Sequence, residues 1–201
     1  SFTSTAAWTE FNKAVQDEAH RHPAGRHYYA HYDYPPAPPI WVAMEGITFG
    51  TLSHLFSNLV LDLRRDISRR FGYDEVVLTS WFRSLTTLRN IAAHHGRLWN
   101  ATLSADKPVK AKKIKGEFGA NSSRFFARAV VAGALLDAIG QGDPWKQRLR
   151  ALMDAHPFVD EAQMGFLPEW RSRPFWHVLG KPQFSPRRRL LLRRVAGRRR
   201  K

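Results

Sequence analysis

Leu78, Trp81, Phe82, Leu85, Leu88 and Ala92 recur at intervals of three and four residues. That spacing gathers them on one stripe of an α-helix and scatters them across both faces of a strand. Leu52, Leu55, Phe56, Leu59, Leu63 and Ile67 form a second such stripe, and Ala7, Trp8, Phe11, Ala14 and Val15 a third. Segments that alternate with a period of two are scarce. The chain therefore reads as all-α, a bundle of helices that bury one face each against their neighbours.

Local signals divide the bundle. The first helix is expected from Ser4 to Arg21. A loop rich in His, Tyr and Pro follows from His22 to Pro39, extended around Pro35, Pro36, Pro38 and Pro39, because proline lacks the N–H and restricts its predecessor. A second helix is expected over about Val42 to Phe71, with breaks near Gly46 and Gly50 and a stop at Gly72. Asp74 caps a third helix ending at His95 or Trp99. A basic loop spans Asp106 to Ala120. Asn121 or Ser122 caps a fourth helix to Ile139, and Asp143 with Pro144 opens a fifth to Ala155. The aromatics between Met164 and Trp176 predict short helical pieces. This gives an N-terminal helix and Pro-rich connector (1–40), a helical domain (41–180) and a basic tail (181–201), expected to be disordered or to contact RNA.

The chain has 201 residues and no cysteine, which excludes a disulfide framework, a zinc-thiolate site and a thiol nucleophile. No apolar run reaches the length that spans a bilayer, and no secretory signal is visible. A cytoplasmic location, with no membrane partner, is the expectation. The formal net charge is +15, and the segment Arg187–Lys201 carries eight Arg, one Lys and no acid. A balance of this kind favours polyanions, nucleic acid first.

Arg89 and His94 then stand out. An arginine holds phosphate through a fork of N–H donors, and a histidine moves protons near neutral pH. On a wheel of 100° per residue Arg89 lies about 20° from Leu78, inside the apolar stripe, whereas His94 lies about 140° away from Arg89 and only about 40° from Asn90. Arg89 is thus expected on the packed side. Two readings remain open. Either Arg89 is ion-paired within the chain, with Glu45 or Asp66 as candidates, or the stripe is a dimer seam or cleft edge where Arg89 meets a substrate phosphate. His95 diverges from His94 by about 100°, so at most one of the two suits a given proton.

The residues around this pair resemble a known family. Pro39, Trp41, Glu45 and Phe49–Ser53, then Ser80, Trp81, Leu85, Leu88–Asn90, Ala93–His95 and Arg97–Asn100, then Met164–Phe166, Pro168 and Trp170 are similar, in that order, to the Abi-like abortive-infection proteins of the AbiD/AbiF group. Arg89-Asn90-x-x-x-His94 resembles the Arg-x4–6-His signature of the HEPN ribonucleases. The resemblance implies a HEPN-type helical bundle acting as a metal-independent endoribonuclease toxin in phage defence, with no cofactor. It implies catalytic roles for Arg89 and His94, an orienting role for Asn90, a homodimer whose two motifs share one cleft, and an RNA partner that includes a regulatory non-coding RNA of toxin–antitoxin type.

Further RNA contacts are expected from Arg97 and Asn100, which follow His94, from Lys107, Lys110, Lys112, Lys113 and Lys115 in the next loop, and from Arg187, Arg188 and Arg189 in the tail. The alternatives for these are a solvated loop and a helix cap. His20, His22, His27 and His31 match no standard zinc spacing, so no metal site is expected. Two rivals stand beside the nuclease: a HEPN scaffold that binds a structured non-coding RNA without cutting it, and a protein–protein adaptor whose Arg89 is merely salt-bridged.

Overall fold

The computed structural model describes residues 2–177. The segment 181–201, with Arg187, Arg188 and Arg189, lies outside the described residues. The helices are α1 (Thr5–Arg21), α2 (Pro23–His31), α3 (Ile40–Gly46), α4 (Phe49–Asn58), α5 (Leu61–Phe71), α6 (Glu75–Ala93), α7 (Phe125–Ala138) and α8 (Gly142–Asp154), with 3₁₀ turns at Lys112–Phe118, Ala162–Met164, Trp170–Ser172 and Pro174–Trp176. Among the described residues the extended pairing is a single antiparallel bridge, Phe2 with Leu59. The all-α expectation holds.

Helix α7 is the centre of the core. Phe126, Ala127, Val130 and Val131 are fully buried, with Ala129, Ala134 and Leu135 nearly so. A helix apolar on every side must be enclosed on every side. Its neighbours are α5, α6, α8 and the Lys112–Phe118 turn. The last segment closes over it with rings: Phe126 stacks on Trp176 at 5.3 Å, and Trp170 meets Trp176 edge to face at 5.0 Å. Trp170 is anchored through its Nε1–H to Glu161 at 2.8 Å, and Arg171 bonds the same carboxylate. The Arg171 hydrogen bond, helped by the Trp170 one, holds the Glu161 carboxyl below its ordinary value. Lys146 of α8 is buried but donates to both Asp137 oxygens of α7, at 2.8 and 2.6 Å, which offsets the cost of enclosing its charge.

The N-terminal helices form a smaller layer. α1 packs against α2, α3 and α4. Glu18 of α1 accepts from Thr48 N–H at 2.7 Å and from the Thr51 hydroxyl at 2.7 Å, so a carboxylate sits at the N-terminus of α4, where the helix dipole favours it. Gly25 lets α2 cross Ala19 closely: a Cβ there would lie 2.0 Å from the Ala19 carbonyl oxygen.

Several sequence expectations are corrected here. The loop expected from His22 to Pro39 contains α2, which opens on Pro23, a residue tolerated in the first turn because its missing N–H would be unpaired anyway. The helix expected from Val42 to Phe71 is three. The break expected near Gly46 falls at Ile47–Thr48, Gly50 lies inside α4 without breaking it, and a break that was not expected falls at Leu59–Val60, where Leu59 leaves the helix to bridge Phe2. The N-cap of α7 is Arg124; the Asn121 side chain instead accepts from Ser123 N–H in the preceding turn.

Candidate functional site

The packed part of α6 is its N-terminal half. Val77, Leu78, Trp81 and Ser84 are buried. Trp81 donates from Nε1 to the Val109 carbonyl at 2.8 Å and packs on Tyr73. From Arg89 onward Asn90, Ala92, Ala93, His94 and His95 are exposed. The wheel therefore gave Arg89 the right angular position and the wrong surroundings. Along the stripe, cover falls from buried Leu78 and Trp81 through half-buried Leu85 and Leu88 to exposed Ala92, so the last turn of α6 lies at the surface. Neither Glu45 nor Asp66 pairs with Arg89: Asp66 bonds Arg69 one turn along α5, and among the described residues Arg89 has no carboxylate partner. Its Nη1 donates to the Asn90 side-chain oxygen at 3.2 Å, which holds Asn90 beside the guanidinium.

The backbone fixes where His94 sits. His95 N–H bonds the Ala92 carbonyl at 3.1 Å, and Gly96 N–H bonds the Ile91 carbonyl at 2.7 Å. These two bonds define a Schellman motif with His94 at the C-cap. The following position must be left-handed, and His95 takes it at φ 54°. Glycine does so without a Cβ penalty, whereas other L-residues lose roughly 1–2 kcal/mol. Replacing His95 with Gly is expected to stabilise the fold by about 0.5–1 kcal/mol, after the added freedom of the unfolded chain is subtracted, and to raise the unfolding midpoint by about 2 °C. A calorimetric scan checks this, and a lower midpoint would contradict it. Gly96 is confined differently: a Cβ there would meet the Ile91 Cγ2 at 2.7 Å.

The other expected RNA contacts separate into groups. Arg97, Lys112 and Lys115 are exposed. Lys110 is half-buried and donates to the Gly119 carbonyl at 2.7 Å, and Lys113 donates to the Gly72 carbonyl at the end of α5 at 2.8 Å. Those two ammonium groups tie the loop to the body. Asn100 accepts from Arg124 at 3.1 Å, so it braces the entry to α7. No cluster of metal-binding side chains occurs among the described residues, and none of the described helices is long and apolar enough to cross a membrane.

Sequence reading missed Arg128. It is fully buried in α7. Its guanidinium donates to the carbonyls of Ser122 at 3.0 Å, Leu103 at 2.8 Å and Ala105 at 3.0 Å. Burial pulls it below the ordinary arginine value, and the nearby Asp106 charge opposes that shift. The side chain therefore staples the loop that leaves the Arg89–His94 helix end onto the core. The available signal was an arginine inside the apolar run from Phe125 to Leu136.

The two described ends of this region, α6 with its exposed Arg89, Asn90 and His94 and the N-terminal layer that leads into it, lie within a segment that known families recognise. Residues 2–100 match the family model of Abi-like proteins. No curated protein and no solved structure matches the chain. By the family match, which takes in α1 to α6 and the whole Arg89–His94 motif, the chain belongs to the Abi-like protein family and so to a group with a role in abortive infection.

Proposed function

We propose that the chain is a metal-independent endoribonuclease of HEPN type, acting as an abortive-infection toxin. The observation that carries this reading is an arginine, an amide and a histidine displayed to solvent at one helix end, with the arginine free of any carboxylate partner among the described residues. That argues against the adaptor reading, which needs Arg89 salt-bridged.

RNA brings its own nucleophile, the 2′-OH. The protein must take a proton from it, give one to the leaving 5′-oxygen and stabilise charge on phosphorus. His94 is the proton carrier. Arg89, held by Asn90, neutralises the phosphate. One α6 does not aim both side chains at a single point, so a second copy meeting this end across a two-fold axis completes the site. Half-buried Leu88 and exposed Ala92 at this end of α6 suit such a seam. A regulatory RNA is the proposed partner that keeps the toxin silent.

One observation favours the non-cleaving scaffold as a second reading: the His94 ring has no hydrogen-bond partner among the described residues to orient it, and a general base usually has one. The chemistry of the products separates the two. Labelled RNA incubated with the protein and a chelator is expected to yield fragments ending in 2′,3′-cyclic phosphate and 5′-OH, with DNA of the same sequence left whole. Intact RNA recovered bound to the protein would favour the scaffold, and cleavage only on addition of a divalent metal would overturn the mechanism.

A further inference from the structure

A cleft opens between α5, α6 and the loop that follows the motif helix. It is lined by Arg64, Val76, Thr79, Ser80, Arg83, Asp106, Lys107 and Val109. Three of these are cations. One acid, Asp106, also lines the cleft and accepts from a neutral group, the Thr87 hydroxyl at 2.9 Å, so it opposes one of the three cations; Glu75 pairs with Arg65 at 3.6 Å. Among the described residues Arg64, Arg83 and Lys107 have no carboxylate partner. The Arg64 Nε is shielded from solvent with no acceptor, an arrangement that costs free energy unless an anion enters. The backbone at Lys107 is held at the rim of the cleft, with its side chain exposed. Its carbonyl accepts from Ser80 Oγ at 3.3 Å, and Val109 N–H donates back to the same oxygen at 2.9 Å.

The position of the cleft gives it a ligand. Val76, Thr79, Ser80, Arg83, Thr87 and Asn90 fall within about 60° of one line along α6, and His94 returns to that line. Arg83 precedes His94 by eleven residues, about 16 Å along the axis. We infer that this cleft is a backbone-phosphate subsite for a single RNA strand that runs along α6 toward His94. The subsite rests on the RNA reading proposed above and adds to it an anchor remote from the Arg89–His94 motif. It contacts phosphate and so contributes affinity and register rather than sequence choice.

The test measures binding, not cleavage. The full chain is titrated with a fluorescent 2′-O-methyl RNA oligonucleotide, which cannot be cut through its 2′ position, over a series of salt concentrations. For single strands each phosphate contact contributes about 0.7 to the slope of log affinity against log salt. Arg83→Gln and Lys107→Gln are each expected to lower that slope by about 0.7, and to weaken binding about five-fold near 0.1 M salt. Lys13→Gln, which removes a charge from α1 outside the cleft, is expected to leave the slope unchanged. Circular dichroism verifies that each variant is folded.

An unchanged slope in both cleft variants overturns the inference, as does an equal fall in Lys13→Gln. So does a dependence on Arg83 seen only with vesicles of anionic phospholipid. The fate of the nuclease reading is separate. If wild type cuts RNA and the slopes do not move, the cleft fails alone. If the slopes move and the wild type never cuts, the subsite stands and the nuclease fails.

Discussion

Replacing His94 with alanine is expected to abolish RNA cleavage, a loss of roughly 10²–10⁴ in rate, the usual contribution of a positioned general acid or base. The unfolding midpoint should stay close to that of the wild type, because the ring is exposed and no described side chain leans on it. Arg89→Ala is expected to be similarly inactive, since the charge it would neutralise builds up only in the transition state. Mixing the two inactive proteins adds a second readout. If the site is shared between copies, an Arg89→Ala chain still supplies His94 and a His94→Ala chain still supplies Arg89, so the mixture regains activity that neither has alone. His95→Gly should keep cutting, because its neighbour and not itself sits at the C-cap beside Asn90. Full activity in His94→Ala would end the assignment.

Arg128→Met is expected to be strongly destabilising. Methionine fills much of the same space but donates nothing, so the Leu103, Ala105 and Ser122 carbonyls lose their shared partner. The Leu103 acceptor is buried and the other two are partly so; a buried acceptor deprived of a charged donor costs about 1–3 kcal/mol, and less where water can reach it. The combined expectation is about 3 kcal/mol, scaled down from the sum because two acceptors are only partly buried and neighbouring losses do not add. For a chain of this size that lowers the midpoint by roughly 6–12 °C. Limited proteolysis should open first between Ala101 and Asp106, the stretch that Arg128 pins. A Met variant that melts within about 2 °C of the wild type would show that the staple contributes little.

How much of this was legible in the sequence depended on whether the signal was local. Ser4 was readable as a helix start, and its hydroxyl accepts from Ala7 N–H at 3.1 Å. Gly72 was readable as a stop, and it takes the left-handed cap at φ 77°. The loop around Pro35 was readable as non-helical, but it bends over residues 34–37 where an extended run was expected, and α2 before it was not readable. Its His, Tyr and Pro content looked like loop, while what holds it is tertiary: Tyr28 is buried and donates to the Pro35 carbonyl at 2.7 Å. The break at Leu59 carries no Gly or Pro, because its cause is a partner nearly sixty residues away in sequence.

The site divides the same way. The Arg89–His94 spacing and its angular offset were readable, because a wheel reports direction. Whether Arg89 met protein or solvent was not, because a wheel does not report how far the neighbouring helices extend. Arg128 went unremarked for a related reason. Its neighbours Phe126, Ala127, Ala129 and Val130 define a buried segment so strongly that one charge in it passes as noise. The basic cleft joins Arg64 on α5 to Arg83 and Lys107, positions that only the fold brings together.

Helix α7 has a consequence for descent. The segment recognised as Abi-like ends at Asn100, and α7, around which α5, α6 and α8 are arranged, begins at Phe125. The stretch that the family model matches is thus not the stretch that supplies the keel. Two helices of the matched stretch, α5 and α6, therefore complete their packing only on a helix that lies outside it.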